Sequence, residues 1–120
     1  MNAVLDTNAV IYLQKGLLAQ PLPVGRYAIS VITEMELLSF SGLTDEQHAW
    51  LQRFIDSMVV VGIDAEVKRV AIQLRRTQGL KLPDAIIAAT AISREAVLFS
   101  NDRAFSGIPG LDWRELVLRG

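Results

Sequence analysis

The sequence predicts an α/β fold built around a mainly parallel sheet of four to five strands. Short apolar runs typical of strands alternate with segments of helical periodicity along the whole chain, which is the pattern of such folds. At 120 residues the chain is long enough to bury one core but not a second. It contains no internal repeat, low-complexity tract or linker, so we expect a single domain over residues 1–120.

The chain begins with a predicted strand, Ala3–Leu5, and a short helix over Thr7–Lys15. After a loop that contains prolines, the second strand is predicted at Tyr27–Ile29. Ser30 is a residue type that caps helix N-termini, so we expect the next helix to follow it and to run to about Ser39.

A capping box predicts the clearest helix. Thr44 and Gln47 have the spacing of this motif. Apolar residues recur behind them at helical period: Trp50, Leu51, Phe54, Ile55 and Met58. We expect the third strand at Val59–Val61, and after it a helix with Asp64 as N-cap that ends at Gly79.

The last third of the chain predicts one helix and two strands. Pro83 is favoured at the first position of a helix. Val97–Phe99 is predicted as the fourth strand, and Trp113–Leu118 as an additional strand at the edge of the sheet.

Composition narrows the class of protein. The longest uncharged stretch, Gly16–Gly25, contains two prolines and is much shorter than the roughly 20 apolar residues of a membrane helix, so we expect no membrane segment. The start of the chain has no positive region, so we expect no signal peptide. The absence of cysteine excludes disulfides and thiolate metal sites, and a cytoplasmic location is expected. A formal net charge of −1 excludes a uniformly basic nucleic-acid binder.

Four acidic residues lie beside apolar runs, where strands should turn into helices or loops: Asp6, Glu36, Asp84 and Asp102. In an open α/β sheet, the carboxyl ends of strands and the N-termini of helices meet in one crevice, where such folds bind ligands. If the four acids converge there, they form a metal site.

Asp84 is the hardest of the four to explain structurally. On a helix that begins near Pro83 it shares a face with Ile87, Ala88 and Ala91. An inward carboxylate must be paired, hydrogen-bonded or metal-bound, because leaving it alone costs several kcal/mol. The helix dipole stabilises an acid in the first turn by at most about 1 kcal/mol. This does not explain why Asp84 should lie on the inward face of the helix.

The other acidic positions have structural alternatives. Asp6, with the two polar residues after it, can form a helix start, and Asp102 can belong to a turn after the fourth strand. Glu34 and Glu36 flank the predicted apolar stripe of their helix on opposite edges. That stripe consists of Val31, Ile32, Met35 and Leu38. From periodicity alone the choice between the two glutamates stays open.

A cluster of basic residues lies in one short segment: Lys68, Arg69, Arg75, Arg76 and Lys81. Such a cluster is usually a solvated helix face, but beside an acidic crevice it can contact phosphates. Lys68, Arg75, Lys81 and Arg103 are therefore candidate substrate contacts. The single histidine, His48, is expected on the surface, and a Ser/His/Asp mechanism has no support.

With these residues in view, the chain resembles a PIN domain, and specifically the VapC-type toxins of toxin–antitoxin pairs. The resemblance rests on four blocks in order: Val4–Asn8, Ile29–Leu37, Leu82–Ala91 and Phe99–Phe105. It implies a three-layer α/β/α sandwich and an endoribonuclease dependent on Mg²⁺ or Mn²⁺, usually dimeric and held inactive by a cognate antitoxin.

The resemblance also implies roles for individual residues. In the family motif the glutamate stands directly before the leucine of the second block, which favours Glu36 over Glu34. The three family aspartates, which are expected to hold the metal, fall on Asp6, Asp84 and Asp102. Ser100 and Asn8 fall on positions with supporting polar groups.

Two other functions remain possible at this stage. A haloacid-dehalogenase-like phosphatase also has an aspartate after its first strand, but it requires a second aspartate where this chain has Asn8. An interaction module could use the same acids to bind a basic peptide without catalysis. Cleavage of RNA with added metal would separate the nuclease from the interaction module.

Overall fold

The computed structural model describes all 120 residues, in five strands, five α-helices and one short 3₁₀ helix at Arg103–Phe105. The strands are β1 (Asn2–Leu5), β2 (Arg26–Ser30), β3 (Val59–Val61), β4 (Val97–Phe99) and β5 (Asp112–Arg114). The helices are α1 (Thr7–Gln14), α2 (Val31–Leu38), α3 (Asp45–Asp56), α4 (Ala65–Gln78) and α5 (Leu82–Ser93).

The five strands form one sheet in the order β3-β2-β1-β4-β5, and every neighbouring pair is parallel. This confirms the predicted parallel sheet. The strand order reverses at β1, which pairs with β2 on one side and β4 on the other. In doubly wound folds this switch point leaves a crevice outside the carboxyl ends of the two central strands.

Helices cover both faces of the sheet, so the three-layer sandwich is confirmed. Side chains alternate along β1 because a strand has a period of two. Val4 packs with Leu98 of β4 against α4 and α5. Ala3 and Leu5 point the other way, toward α1, α2 and α3. Each face of the sheet therefore has its own apolar cluster.

The predicted helix caps are present. Ser30 accepts a hydrogen bond from the Ile32 N–H, and both hydrogen bonds of the Thr44 capping box are formed. Asp64 accepts from the Val67 N–H at 2.9 Å. Gly79 ends α4 with φ of 68°, a left-handed conformation that glycine adopts without steric cost.

The predicted apolar stripe of α2 is confirmed only in part: Ile32 and Leu38 pack against the two apolar clusters, but Met35 does not. The buried residues of this helix are Thr33 and Leu37, whereas Met35 is 60% exposed. A periodicity plot ranks side chains by hydrophobicity alone, but Thr33 has a hydroxyl partner inside the protein. Because that hydroxyl lies 3.3 Å from a second one, its burial does not leave a polar group unpaired.

Two boundaries also differ from the prediction. Pro83 is the second residue of α5 rather than the first, because the helix begins at Leu82. The edge strand β5 ends at Arg114. Beyond it the backbone of Leu116 pairs with the side-chain amide of Asn101 instead of a strand, at 2.9 and 2.7 Å. No helix is both long enough and apolar enough to cross a membrane.

Candidate functional site

The four predicted acidic residues come together at the switch point of the sheet, and we call them the acidic cluster. Asp6 follows β1 directly, and Asp102 lies in the loop after β4. Asp84 is in the first turn of α5, and Glu36 is near the end of α2. The charges of Asp84 and Asp102 act on the pKa of Asp6, and those of Asp102 and Glu36 act on the pKa of Asp84. The cluster therefore shares one electrostatic environment.

Asp6 is held rigidly. It is only 4% exposed, and its Oδ1 accepts a hydrogen bond from the Ala9 N–H at 2.8 Å, which caps α1. Its Oδ2 accepts a short hydrogen bond from the Ser100 hydroxyl. Burial raises the pKa of Asp6 above its ordinary value, the two hydrogen bonds lower it, and the charges of Asp102 and Asp84 raise it further; the net direction is upward.

Ser100 connects the two central strands. Its fully buried hydroxyl donates to Asp6 after β1 and accepts from the Asp102 N–H at 3.0 Å after β4. The indole N–H of Trp113 donates to the Ser100 carbonyl at 2.8 Å, so β5 holds the serine from the other side. Ser100 thus fixes Asp6 and the backbone of Asp102 relative to each other.

Asp84 is half-buried at the top of the most apolar helix in the chain. Burial raises its pKa, the charges of Asp102 and Glu36 raise it further, and the nearby charge of Lys81 lowers it; the net direction is upward. All seven residues that follow it, from Ala85 to Ala91, are buried, so Asp84 stands at the start of a fully buried segment of α5.

Glu36 is positioned by two threonines that the sequence did not identify as a unit. The Thr7 hydroxyl donates to Glu36 Oε1 at 2.7 Å and lies 3.3 Å from the hydroxyl of Thr33. A hydroxyl has one proton, so Thr7 can donate to Glu36 while it accepts from the fully buried Thr33. It is the charge of Glu36, and not that of Glu34, that acts on Asp84.

The sequence contained only a weak indication that Thr7 and Thr33 act together on Glu36. Thr7 follows Asp6 directly, and Thr33 precedes Glu36 by three positions, which places the two on one side of a helix. Both threonines also fit ordinary helix-start positions, so only their contact across α1 and α2 distinguishes them.

Asp102 forms the turn contact that was considered for it. Its carboxylate Oδ1 accepts from the Ala104 N–H at 2.9 Å and starts the 3₁₀ helix, as expected of a turn residue. It is also exposed at the mouth of the crevice, where its charge acts on the pKa of Asp6 and Asp84.

The predicted supporting and substrate-binding residues are spread more widely. Asn8 is exposed in the first turn of α1. Arg103 forms an ion pair with Glu115 at 3.7 Å, and both side chains are largely in solvent. Among the basic residues of the α4 segment, Lys81 lies closest to the acidic cluster, as its effect on the pKa of Asp84 indicates.

The two ends of α4 differ in their distance from the cluster. Only three residues join α4 to α5, so the last turn of α4, with Arg75 and Arg76, lies near the start of α5. Lys68 is in the first turns of α4, and at about 1.5 Å per residue this places it roughly 16 Å along the helix from Gly79. Arg69, beside it, pairs with Glu66 at 2.7 Å.

The donor atoms of the acidic cluster fit a hard divalent cation. All are carboxylate oxygens, the ligand type of Mg²⁺ and Mn²⁺. Each oxygen of Asp6 uses one lone pair in a hydrogen bond and retains another. No three acidic or histidine side chains stand close enough together to enclose an ion. The chemistry fits the ion, whereas a closed cage is not preformed.

Comparisons with known proteins agree with this architecture. A family model described as PIN domain matches residues 3–111. A toxin–antitoxin complex from Klebsiella pneumoniae contains a chain 32% identical to this one, with a TM-score of 0.73 over 91% of this chain and 94% of that chain. A chain of DNA-bound VapBC from Salmonella typhimurium is 28% identical, with a TM-score of 0.80 over 96% and 98%. An uncharacterised protein of Archaeoglobus fulgidus is 42% identical over 57 residues, 46% of this chain and 92% of that protein.

Proposed function

The chain belongs to the PIN domain family, and from this premise we propose that it is a metal-dependent endoribonuclease that acts as the toxin of a toxin–antitoxin pair. The observation that carries the proposal is the convergence of four carboxylates whose charges act on the pKa values of Asp6 and Asp84, with Lys81 as a cation that acts on Asp84. The likeness to chains from toxin–antitoxin complexes supports the toxin role.

Asp6, Asp84 and Asp102 would hold the metal, directly or through water. A divalent ion bound there supplies Lewis acidity, lowers the pKa of a bound water and neutralises charge on the leaving oxygen of a phosphodiester. Asp6 is positioned for this role by its rigid hydrogen bonds, and Asp102 by the bond from its N–H to Ser100.

Glu36 would orient the attacking water. Its Oε1 is occupied by the Thr7 hydroxyl, which leaves Oε2 free to accept a hydrogen bond and then the proton of that water. Because Thr7 is held in turn by the buried Thr33, the carboxylate keeps one orientation. Lys81, exposed beside Asp84, is placed to contact a phosphate oxygen of the substrate.

The phosphatase alternative is disfavoured by the state of Asp6. In that mechanism the aspartate after the first strand attacks phosphorus, so one of its oxygens must be open to the substrate. Here the side chain is 4% exposed and both oxygens accept hydrogen bonds. A role as a fixed metal ligand suits this environment better than a role as nucleophile.

Further parts of the proposal concern assembly and location. Several large apolar side chains are exposed, including Met35, Phe40, Val59, Ile63 and Ile72. A second copy of the chain and an antitoxin are the partners that we propose to cover part of this surface. We also propose that the protein is cytoplasmic and that its substrate is RNA. Residues 1–120 would form one domain.

The test is to incubate the purified chain with a total RNA pool and Mn²⁺ and to map the ends of the products. We expect discrete cuts that disappear with a chelator and in the Asp84→Asn variant, while Glu34→Gln retains them. Matched single-stranded DNA separates RNA cleavage from general nuclease activity. Binding of RNA without cleavage under all metal conditions would instead support the interaction module.

A further inference from the structure

An open groove of about 450 Å³ lies beside Glu36, between α1, the end of α2 and α3, and we call it the α1–α3 groove. Thr7 and Glu36 line it, so it is continuous with the acidic cluster. Leu37 and Leu51, both buried, contribute apolar lining, and Phe40 adds an aromatic ring that is 66% exposed. The volume is within the range of about 300–1,000 Å³ typical of small-molecule sites.

Two glutamines line the same groove, and their hydrogen bonds fix which amide atoms stay available. Gln47 Oε1 accepts from the Thr44 N–H at 2.9 Å, which leaves its Nε2 as a donor. Gln14 Nε2 donates to the Gln47 carbonyl at 3.1 Å, which leaves its Oε1 as an acceptor. Lys15, exposed at the end of α1, adds a positive charge to the lining.

We propose that the α1–α3 groove binds one unpaired nucleobase of the substrate, from a nucleotide next to the cleaved phosphate. This inference rests on the proposed endoribonuclease function. Single-stranded nucleic acid is commonly held by stacking of bases on aromatic rings and by hydrogen bonds to base edges. Phe40 supplies the ring, Gln14 and Gln47 an acceptor and a donor, and Lys15 a contact for the adjoining phosphate.

The polar lining favours a base over an apolar peptide segment. An apolar side chain in the groove would cover the free amide atoms of Gln14 and Gln47 without replacing their hydrogen bonds to water, which is unfavourable. Every nucleobase presents donors and acceptors on one edge and apolar faces on both sides. Because Glu36 lines both regions, a phosphate at the acidic cluster brings the neighbouring base to the groove.

The inference is tested with an RNA oligonucleotide that contains one mapped cleavage site. Each nucleotide around the site is replaced in turn by an abasic nucleotide, and kcat/KM is measured with Mn²⁺. We expect one position next to the cut at which loss of the base lowers kcat/KM by about tenfold in the unaltered chain. For Phe40→Ala, kcat/KM on the intact RNA should fall by about the same factor. The abasic replacement should then cause no further fall in kcat/KM.

Control variants separate the groove from general effects on the chain. Phe40→Trp retains a stacking surface and should keep the effect of the abasic position. Val24→Ala removes an apolar side chain that is 99% exposed in the loop before β2, and Gln52→Ala removes an exposed amide from α3; neither residue lines the groove, so both variants should cleave normally. Gln14→Ala should weaken discrimination between bases at the same position.

The alternative outcomes are distinct. Equal cleavage of all abasic substrates, or an abasic effect that persists unchanged in Phe40→Ala, would overturn the inference while the endoribonuclease function stands. If Phe40→Ala cleaves normally but no longer co-purifies with a co-expressed partner protein, the groove is a protein-binding surface and the inference is wrong. Failure of the unaltered chain to cleave any RNA would overturn both.

Discussion

Ser100 donates its hydroxyl proton to Asp6 although the two residues are 94 positions apart in the sequence. The contact joins the ends of β1 and β4, the two strands between which the crevice opens. It also makes the orientation of Asp6 depend on the correct pairing of these strands. The position of Asp6 in the acidic cluster therefore depends on the pairing of β1 with β4.

Removal of this contact is our first prediction. In Ser100→Ala, Asp6 Oδ2 loses its buried donor and the Asp102 N–H loses its acceptor, so we expect a loss of about 1–3 kcal/mol in the free energy of unfolding. The pKa of Asp6 should rise further, because the serine hydrogen bond lowers it. The pH profile of RNA cleavage should shift to higher pH, which denaturant titration combined with a pH–rate series would measure. Ser100→Thr, which keeps the hydroxyl, should not shift the profile.

Charge deletion within the acidic cluster should remove cleavage. We expect kcat/KM for RNA cleavage to fall in each of Asp6→Asn, Asp84→Asn and Asp102→Asn. The fall should exceed about 10–100-fold, which is typical for loss of a residue that only supports a metal site. Glu36→Gln should lose about 100-fold or more, as expected for loss of a general base. Glu34→Gln is the matched control on the same helix, and it should change kcat/KM only slightly. Equal losses at the two glutamates, measured as kcat/KM, would contradict the assignment of Glu36.

The threonine pair predicts an effect without any change of charge. Thr7→Val removes the hydroxyl that orients Glu36 while it preserves shape, so we expect a fall of about 10–100-fold in kcat. The free energy of unfolding should also fall by about 1–3 kcal/mol, because the buried Thr33 hydroxyl loses its partner. Thr7→Ser should restore most of the activity. Thr77→Val, on the exposed side of α4, deletes a hydroxyl that bonds only to the Gln73 carbonyl and should have no effect. Normal cleavage by Thr7→Val would mean that Glu36 needs no such support.

Metal and pH should act together on stability. The pKa of Asp6 and of Asp84 is raised in the folded protein above the ordinary value of 3.8, so the folded state binds more protons than the unfolded state over the interval above that value. Stability without metal should therefore fall as pH rises through this interval. Mn²⁺ should raise the melting temperature most at neutral pH, where the carboxylates are ionised.

The Asp84→Asn variant tests how much one carboxylate contributes to this pH dependence of stability. Asp84→Asn should melt no lower than the unaltered chain without metal, and its stability should depend less on pH. A lower melting temperature for this variant would mean that Asp84 stabilises the fold itself.

The proposed partners predict the behaviour of the chain in a cell and in the centrifuge. Alone, it should sediment as a dimer and be poorly tolerated by its host, because the proposed activity cleaves RNA. Co-expression with the small neighbouring gene should give a soluble, inactive complex that co-purifies. A monomer that expresses freely, harms no host and retains no partner would remove the toxin–antitoxin interpretation and leave the nuclease one.

Local signals in the sequence were sufficient for most of the fold. Ser30, Thr44 and Asp64 cap helices as predicted, because capping depends on residues three positions apart or fewer. The buried face of α2 was not predictable in this way. Its orientation is set by Thr7, 26 positions before Thr33 in the sequence, and no periodicity of α2 itself contains that information.

The same distinction applies to the acidic cluster. That the three aspartates meet could be predicted from their positions beside the strands and helix starts of a parallel sheet, whereas only the family resemblance distinguished Glu36 from Glu34. The hydrogen bonds that hold these acids could not be predicted, because each donor comes from a distant segment of the sequence. Ser100 donates to Asp6, and Thr7 donates to Glu36. The distance of Lys68 from the cluster, in contrast, follows from chain order, because only three residues join the end of α4 to the start of α5.

The side-chain amide of Asn101 holds the backbone of Leu116, and this contact bears on where the domain ends. The match to the family model ends at residue 111, but β5 and the Trp113 bond to Ser100 lie beyond that point. A truncation placed at the end of that match would keep all four carboxylates and still remove the contact that Trp113 makes with Ser100. The shortened protein would be expected to hold its acidic cluster less firmly, which the extent of the family-model match alone does not indicate.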